Sequence, residues 1–173
     1  DVTVAGDTEV GYLGSSVGNI SIIGSGSTWT STCKIFTGKG SGTITVADGA
    51  TLSANAGLSL YISTLAGNGN VAGAVSNSNG TIAPSGLTAS YGALHITGSY
   101  TQYTPAKLQI ELGGTTAGTN YDRLNVQGTA NLGGTLQVTL SSFTPAQNNV
   151  FDILDFTSRF GTFSTVTLPA VLA

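Results

Sequence analysis

The sequence predicts an all-β chain wound as a parallel β-helix, with a β-sandwich as the alternative. Three observations predict it: apolar residues alternate along most of the chain, a short phrase recurs, and glycine-rich corners separate the alternating runs. The phrase is Gly, a small residue, then apolar-polar-apolar, as in Gly18-Asn19-Ile20-Ser21-Ile22, Gly42-Thr43-Ile44-Thr45-Val46, Gly92-Ala93-Leu94-His95-Ile96 and Gly134-Thr135-Leu136-Gln137-Val138. Successive strand residues point to opposite faces, so each phrase buries one face and wets the other. Helical periodicity is nearly absent.

Taken in order, the strands are marked by apolar residues two apart: Ile20 and Ile22; Ile44 and Val46; Leu58, Leu60 and Ile62; Leu94 and Ile96; Leu108, Ile110 and Leu112; Leu124 and Val126; Leu136, Val138 and Leu140. Between them lie Asp48-Gly49, Gly67-Asn68-Gly69-Asn70, Asn79-Gly80 and Gly113-Gly114, residue types that accept the positive φ of tight turns. A sandwich also spaces short strands by turns. The solenoid is favoured because Asn and Thr sit repeatedly beside the glycine corners, where stacked coils place like residue on like. Seven or eight coils are expected.

Residues 1–140 therefore read as repeat coils and 141–173 as a C-terminal cap. Five of the six phenylalanines, Phe143, Phe151, Phe156, Phe160 and Phe163, fall in this last segment. A solenoid needs such a change, because its last coil otherwise offers unpaired backbone groups to any passing strand.

Composition narrows function. Charged residues make up 8% of the chain, against about 25% in ordinary globular domains, a balance common in secreted β-rich proteins. Eight acids stand against five scattered bases, Lys34, Lys39, Lys107, Arg123 and Arg159; no basic stripe is present, and nucleic-acid binding is not expected. Cys33 is the single cysteine and has no internal partner; it reads as a small buried residue or as a thiol joining two chains. No run reaches the roughly 18 to 20 apolar residues that span a bilayer, so direct membrane insertion is not expected. Any leader or anchor would lie outside this chain.

Catalytic constellations are not evident. Asp152 and Asp155 sit three apart among apolar residues, and alternation places them on opposite faces. Asp122 and Arg123 likewise point apart. His95 and Glu111, each between two apolar residues, face away from the core. No second histidine accompanies His95, so no metal site or Ser-His-Asp order is expected, and no cofactor. A polysaccharide lyase or hydrolase would need clustered acids with a nearby base. Among the aromatics, Trp29 reads as structural. Tyr100 and Tyr103 are the candidates for stacking on sugar rings.

Residues 17 to 54, with Gly24-Ser25-Gly26-Ser27-Thr28-Trp29-Thr30 followed by Gly40-Ser41-Gly42-Thr43-Ile44-Thr45-Val46-Ala47-Asp48-Gly49-Ala50-Thr51-Leu52, resemble the repeat shared by autotransporter (type V secretion) passengers and bacterial surface proteins with PEP-CTERM sorting tails. Residues 68 to 140 resemble the C-terminal part of autotransporter passengers, through Asn79-Gly80-Thr81-Ile82-Ala83-Pro84, Leu108-Gln109-Ile110-Glu111-Leu112-Gly113-Gly114 and Tyr121-Asp122-Arg123-Leu124-Asn125-Val126. The resemblance implies a right-handed parallel β-helix displayed outside the cell. Neither a membrane barrel nor a sorting helix follows Ala173, so self-secretion and anchoring are not implied. The expected function is structural or adhesive and non-catalytic, with self-association into a fibre or surface layer; the alternatives are a carbohydrate-binding module and a polysaccharide-degrading β-helix. The expected partners are further copies of the chain, head to tail or side by side, and cell-surface or matrix polysaccharide.

Overall fold

The alternating segments become short strands, and every one of their pairings is parallel. The computed structural model describes residues 1–85 and 91–170; residues 171–173 of the expected cap lie outside the described residues. The first coil holds β1 (Val2–Val4), β2 (Thr8–Val10) and β3 (Val17–Ile23). The second holds β4 (Thr28–Ser31), β5 (Ile35–Thr37) and β6 (Ser41–Ala47), and the third β7 (Thr51–Ala54), β8 (Leu58–Leu60) and β9 (Thr64–Ala66). The fourth holds β10 (Asn70–Ala72), β11 (Val75–Asn77) and β12 (Thr81–Ala83), and the fifth β13 (Ala93–Ile96), β14 (Tyr100–Gln102) and β15 (Lys107–Leu112). In the sixth, β16 (Arg123–Leu132) runs through the places of two strands before β17 (Thr135–Leu140). In the seventh, β18 (Leu154–Gly161) does the same before β19 (Thr165–Thr167).

Each strand pairs with its counterpart in the next coil, giving three stacked faces. The third face is a 7-stranded sheet running β3, β6, β9, β12, β15, β17, β19, while β16 joins the first and second faces into one 12-stranded sheet. This is a parallel β-helix. A sandwich is built from antiparallel sheets, whereas all named pairings here are parallel, the only antiparallel contact among the described residues being the bridge between Leu112 and Tyr121. Adjacent strands lie ~4.8 Å apart, so the coils climb by about that amount each.

The core is a set of inward rows. On the third face Ile20, Ile44, Leu65, Ile82, Leu108, Leu136 and Val166 stand one above another. Ile44, Leu65, Ile82 and Leu108 are completely buried, each worth about 1.5–3 kcal/mol by transfer from water. On the first face Trp29, Leu52, Val71, Ile96, Val126 and Phe156 form the equivalent row. Ile62, which alternation groups with Leu58 and Leu60, falls beyond the end of β8 and is exposed.

Three of the four recurring phrases open strands of the third face. Gly18 stacks on Gly42, and the corner row continues with Ser63, Gly80, Ala106 and Gly134, each just before the first paired residue of its strand. The fourth phrase, at Gly92, opens β13 on the first face.

The aromatic C-terminal segment adds a seventh coil in register. Phe143, Phe151 and Phe163 pack against the core, with Phe151 meeting Tyr121 and Phe143 edge to face at 5.4 and 6.2 Å between ring centres. Phe156 and Phe160 remain exposed. A bulge in β16 between Val126 and Thr129 shifts the register against β18.

Candidate functional site

Polar side chains inside the solenoid gather at the corner between the second and third faces. Asn77 sits between Leu60 and Gln102 in one row. Its Oδ1 accepts the Gly80 N–H at 2.8 Å. The Gln102 amide donates to the carbonyls of Ala106, Gly133 and Thr135 at 3.2, 2.8 and 3.1 Å. These side chains add hydrogen bonds to the backbone of a corner that is largely screened from water.

Tyr100 belongs to this interior, which corrects its expected place on the surface. It is 0% exposed, and its hydroxyl donates to Gln102 Oε1 at 2.5 Å. Burial pushes its phenol far above the usual range. The ring fills a row that holds Ile35, Leu58 and Val75 in the preceding coils. Tyr103, three residues on, has left the strand and is 54% exposed.

Tyr103 does not stand alone. Hydrogen bonds between coils continue past the ends of the second-face strands: Gly38 N–H donates to Val10 O at 2.9 Å, Ser78 N–H to Leu60 O at 2.9 Å, and Tyr103 N–H to Asn77 O at 2.9 Å. Tyr61 follows Leu60 in the same register, its N–H bonded to Thr37 Oγ1 at 2.7 Å. Tyr12 lies at the equivalent corner of the first coil, where its carbonyl accepts from Lys39 N–H at 3.3 Å. Tyr12, Tyr61 and Tyr103 thus mark one edge in the first, third and fifth coils, all exposed. Phe160, on the seventh coil, lines the recess that Tyr103 also borders.

The corner holds its shape through backbone contact. A Cβ on Gly38 would come within 2.6 Å of Tyr12 Cα, and one on Gly40 would collide with the carbonyls of Ser16 and Leu13. Glycine at both positions lets the 11–16 turn seat directly on the next coil. The resulting cleft of about 460 Å³ is lined by Tyr12, Tyr61, Glu9 and Lys39 among others.

The other candidate residues are dispersed. His95 and Asn125 stack on the outer first face, His95 Nδ1 to Asn125 Nδ2 at 3.3 Å. Asp155 pairs with Arg123 at 3.1 Å, and the Asp152 N–H donates to the Tyr121 hydroxyl at 3.2 Å. Cys33 is half-buried, its thiol donating to the Ala5 carbonyl at 3.3 Å. Among the described residues no three of His, Cys, Asp and Glu come together as a metal site would require.

Asp122 behaves differently from its neighbour Arg123. It is buried, with Oδ1 accepting the Gly92 N–H at 3.0 Å and Oδ2 the Glu111 N–H at 2.9 Å. Burial pushes its carboxyl from 3.8 up to about 7; the two amides oppose this, and the nearby Glu111 charge adds to it. Between those values the folded chain holds a proton that the unfolded chain has lost. This contribution is therefore greatest below about pH 4 and declines as pH rises through 7. Thermal melts across that range are expected to show a slope that Asp122→Asn flattens, and identical pH profiles for the two proteins would refute the assignment.

Comparison with protein-family models, with characterised proteins and with solved structures found no match.

Proposed function

We propose that the protein is a non-catalytic structural and adhesive rod, working outside the cell and associating end to end with further copies of itself. The observation that carries this function is the fit between the two end coils. Extending the rows of the first face by one coil sets Val2 of a second copy on Phe156. The same operation on the third face sets Ile20 on Val166. On the second face it sets Thr8, flanked by Asp7 and Glu9, on Arg159. Val2, Phe156 and Val166 are all exposed apolar residues. Two of the three edges at one end, β1 and β3, and β19 at the other carry no charged residue, so the usual electrostatic guard against strand addition is missing there.

The extracellular setting is supported by the low charge content and by the resemblance to autotransporter passengers and PEP-CTERM surface proteins. Light scattering is expected to show mass rising with protein concentration, and Phe156→Glu combined with Val166→Lys is expected to hold the chain as a monomer. Those side chains are exposed, so the coils beneath them persist. A wild-type chain that stays monomeric at high concentration would overturn end-to-end association.

A further inference from the structure

We infer that the outer second face is a binding track for a linear, neutral, β-linked polysaccharide lying along the solenoid axis. Its rim is the aromatic edge: Tyr12, Tyr61 and Tyr103 are 66%, 43% and 54% exposed. They sit on alternate coils, so successive rings are about 9–10 Å apart along the axis, twice the spacing between neighbouring strands. In an extended β-linked chain every second sugar turns the same way. One ring per two coils therefore meets the same face of alternate sugars.

From the third to the sixth coil the floor beside this rim is polar and small. Ser59, Ser76, Thr101 and Asn131 form one outward row there, with Asn131 Nδ2 donating to Thr101 Oγ1 at 3.2 Å; the row begins with Glu9 and Phe36 and closes on Phe160. Sugars ask for this pairing, an aromatic face under the C–H side of the ring and hydroxyl or amide partners at its edge. Three recesses of about 460, 240 and 370 Å³ follow the face from the first coil to the last, and Tyr12 with Tyr61, then Tyr103, then Tyr103 with Phe160 border them in turn. Two of these fall within the 300–1,000 Å³ typical of ligand sites.

Charge selects the class of polymer. Glu9, Lys34 and Lys39 are the charged residues lining these recesses, and their signs are mixed. A polyanion would need a run of cations along the track. A neutral glucan or chitin-type chain needs none.

The track leaves both end coils' pairing edges free, so it is independent of end-to-end association. The test is calorimetric titration of the whole chain with cello-oligosaccharides and chito-oligosaccharides of increasing length. Affinity is expected to rise with length until the oligosaccharide reaches from Tyr12 to Tyr103, then level off. Tyr61→Ala is expected to weaken binding of the long oligosaccharides about tenfold, the order of one lost aromatic contact, while Tyr61→Phe retains it. Light scattering on the same variants is expected to be unchanged, which separates failure of the track from failure of the assembly. No binding to either series, equal binding by the Tyr12→Ala, Tyr61→Ala, Tyr103→Ala triple variant, or binding confined to acidic polysaccharides and abolished by salt would each overturn the inference.

Discussion

Gln102→Leu is expected to destabilise the fold by about 4 kcal/mol, through loss of several buried hydrogen bonds worth ~1–3 kcal/mol each when one partner is stranded. Gln102 is 3% exposed and serves the carbonyls of Ala106, Gly133 and Thr135 while accepting from Tyr100. Leucine fills similar space but removes all four bonds, two of them fully buried, while the Ala106 carbonyl keeps its bond from the Thr135 N–H. For a chain of this size the melting temperature is expected to fall by roughly 10 °C. Tyr100→Phe removes only the phenol's bond and is expected to cost about 1 kcal/mol. Because solenoid stability is a sum of coil and neighbour terms, the damage is expected to be local. Hydrogen exchange is expected to quicken at Thr135, whose N–H donates to Ala106 O at 2.9 Å, and to leave the first two coils protected. Equal stability of the wild type and Gln102→Leu would show that the corner does not depend on this side chain.

Gly42→Ala is expected to cost about 3 kcal/mol, the upper part of the range for forcing atoms into a filled interior. Its Cβ would land on the carbonyl oxygen of Gly18 in the preceding coil. That obstacle is backbone, fixed by the ladder between β3 and β6, so relief requires the coils to separate. Gly6→Ala is the control, since nothing lies within 4 Å of the position its Cβ would take. Denaturant titration is expected to separate the two variants clearly. A Gly42→Ala protein as stable as Gly6→Ala would refute the tight stacking of this corner.

Both predictions fall on the corner that the recurring phrase marks in the sequence. Gly18, Gly42 and Gly134 were legible as strand entries because small residues followed by alternation have a local cause: the pleat turns alternate side chains inward, and at these three positions a Cβ would strike neighbouring backbone. The inward rows were legible for the same reason. Tyr100 was not, because its partner two residues on is Gln102 and the apolar alternation breaks there. Only the register with Ile35, Leu58 and Val75 identifies its position as interior. Tyr61 carries a weak signal, an aromatic just after the last inward residue of a strand, and Tyr12 a weaker one, two residues beyond Val10. That signal gains meaning only when their coils are stacked.

Coil length explains why stacking could not be counted along the chain. Successive partners are separated by as few as 17 residues, from Leu65 to Ile82, and as many as 30, from Val126 to Phe156. Turns absorb the difference while the strands keep register. Asp122 and Arg123 show the same division: adjacency implied opposite faces, whereas their partners, backbone amides for one and Asp155 for the other, come from other coils.

By itself the sequence determined the all-β class, the inward rows and the glycine corner, since each follows from backbone geometry and burial within a few residues. Only the tertiary structure decided which strands lie side by side, that the described residues form seven coils, that Tyr100 is interior, and that Tyr12, Tyr61 and Tyr103 share an edge. Those depend on hydrogen bonds between residues one coil apart, at intervals that no fixed period describes.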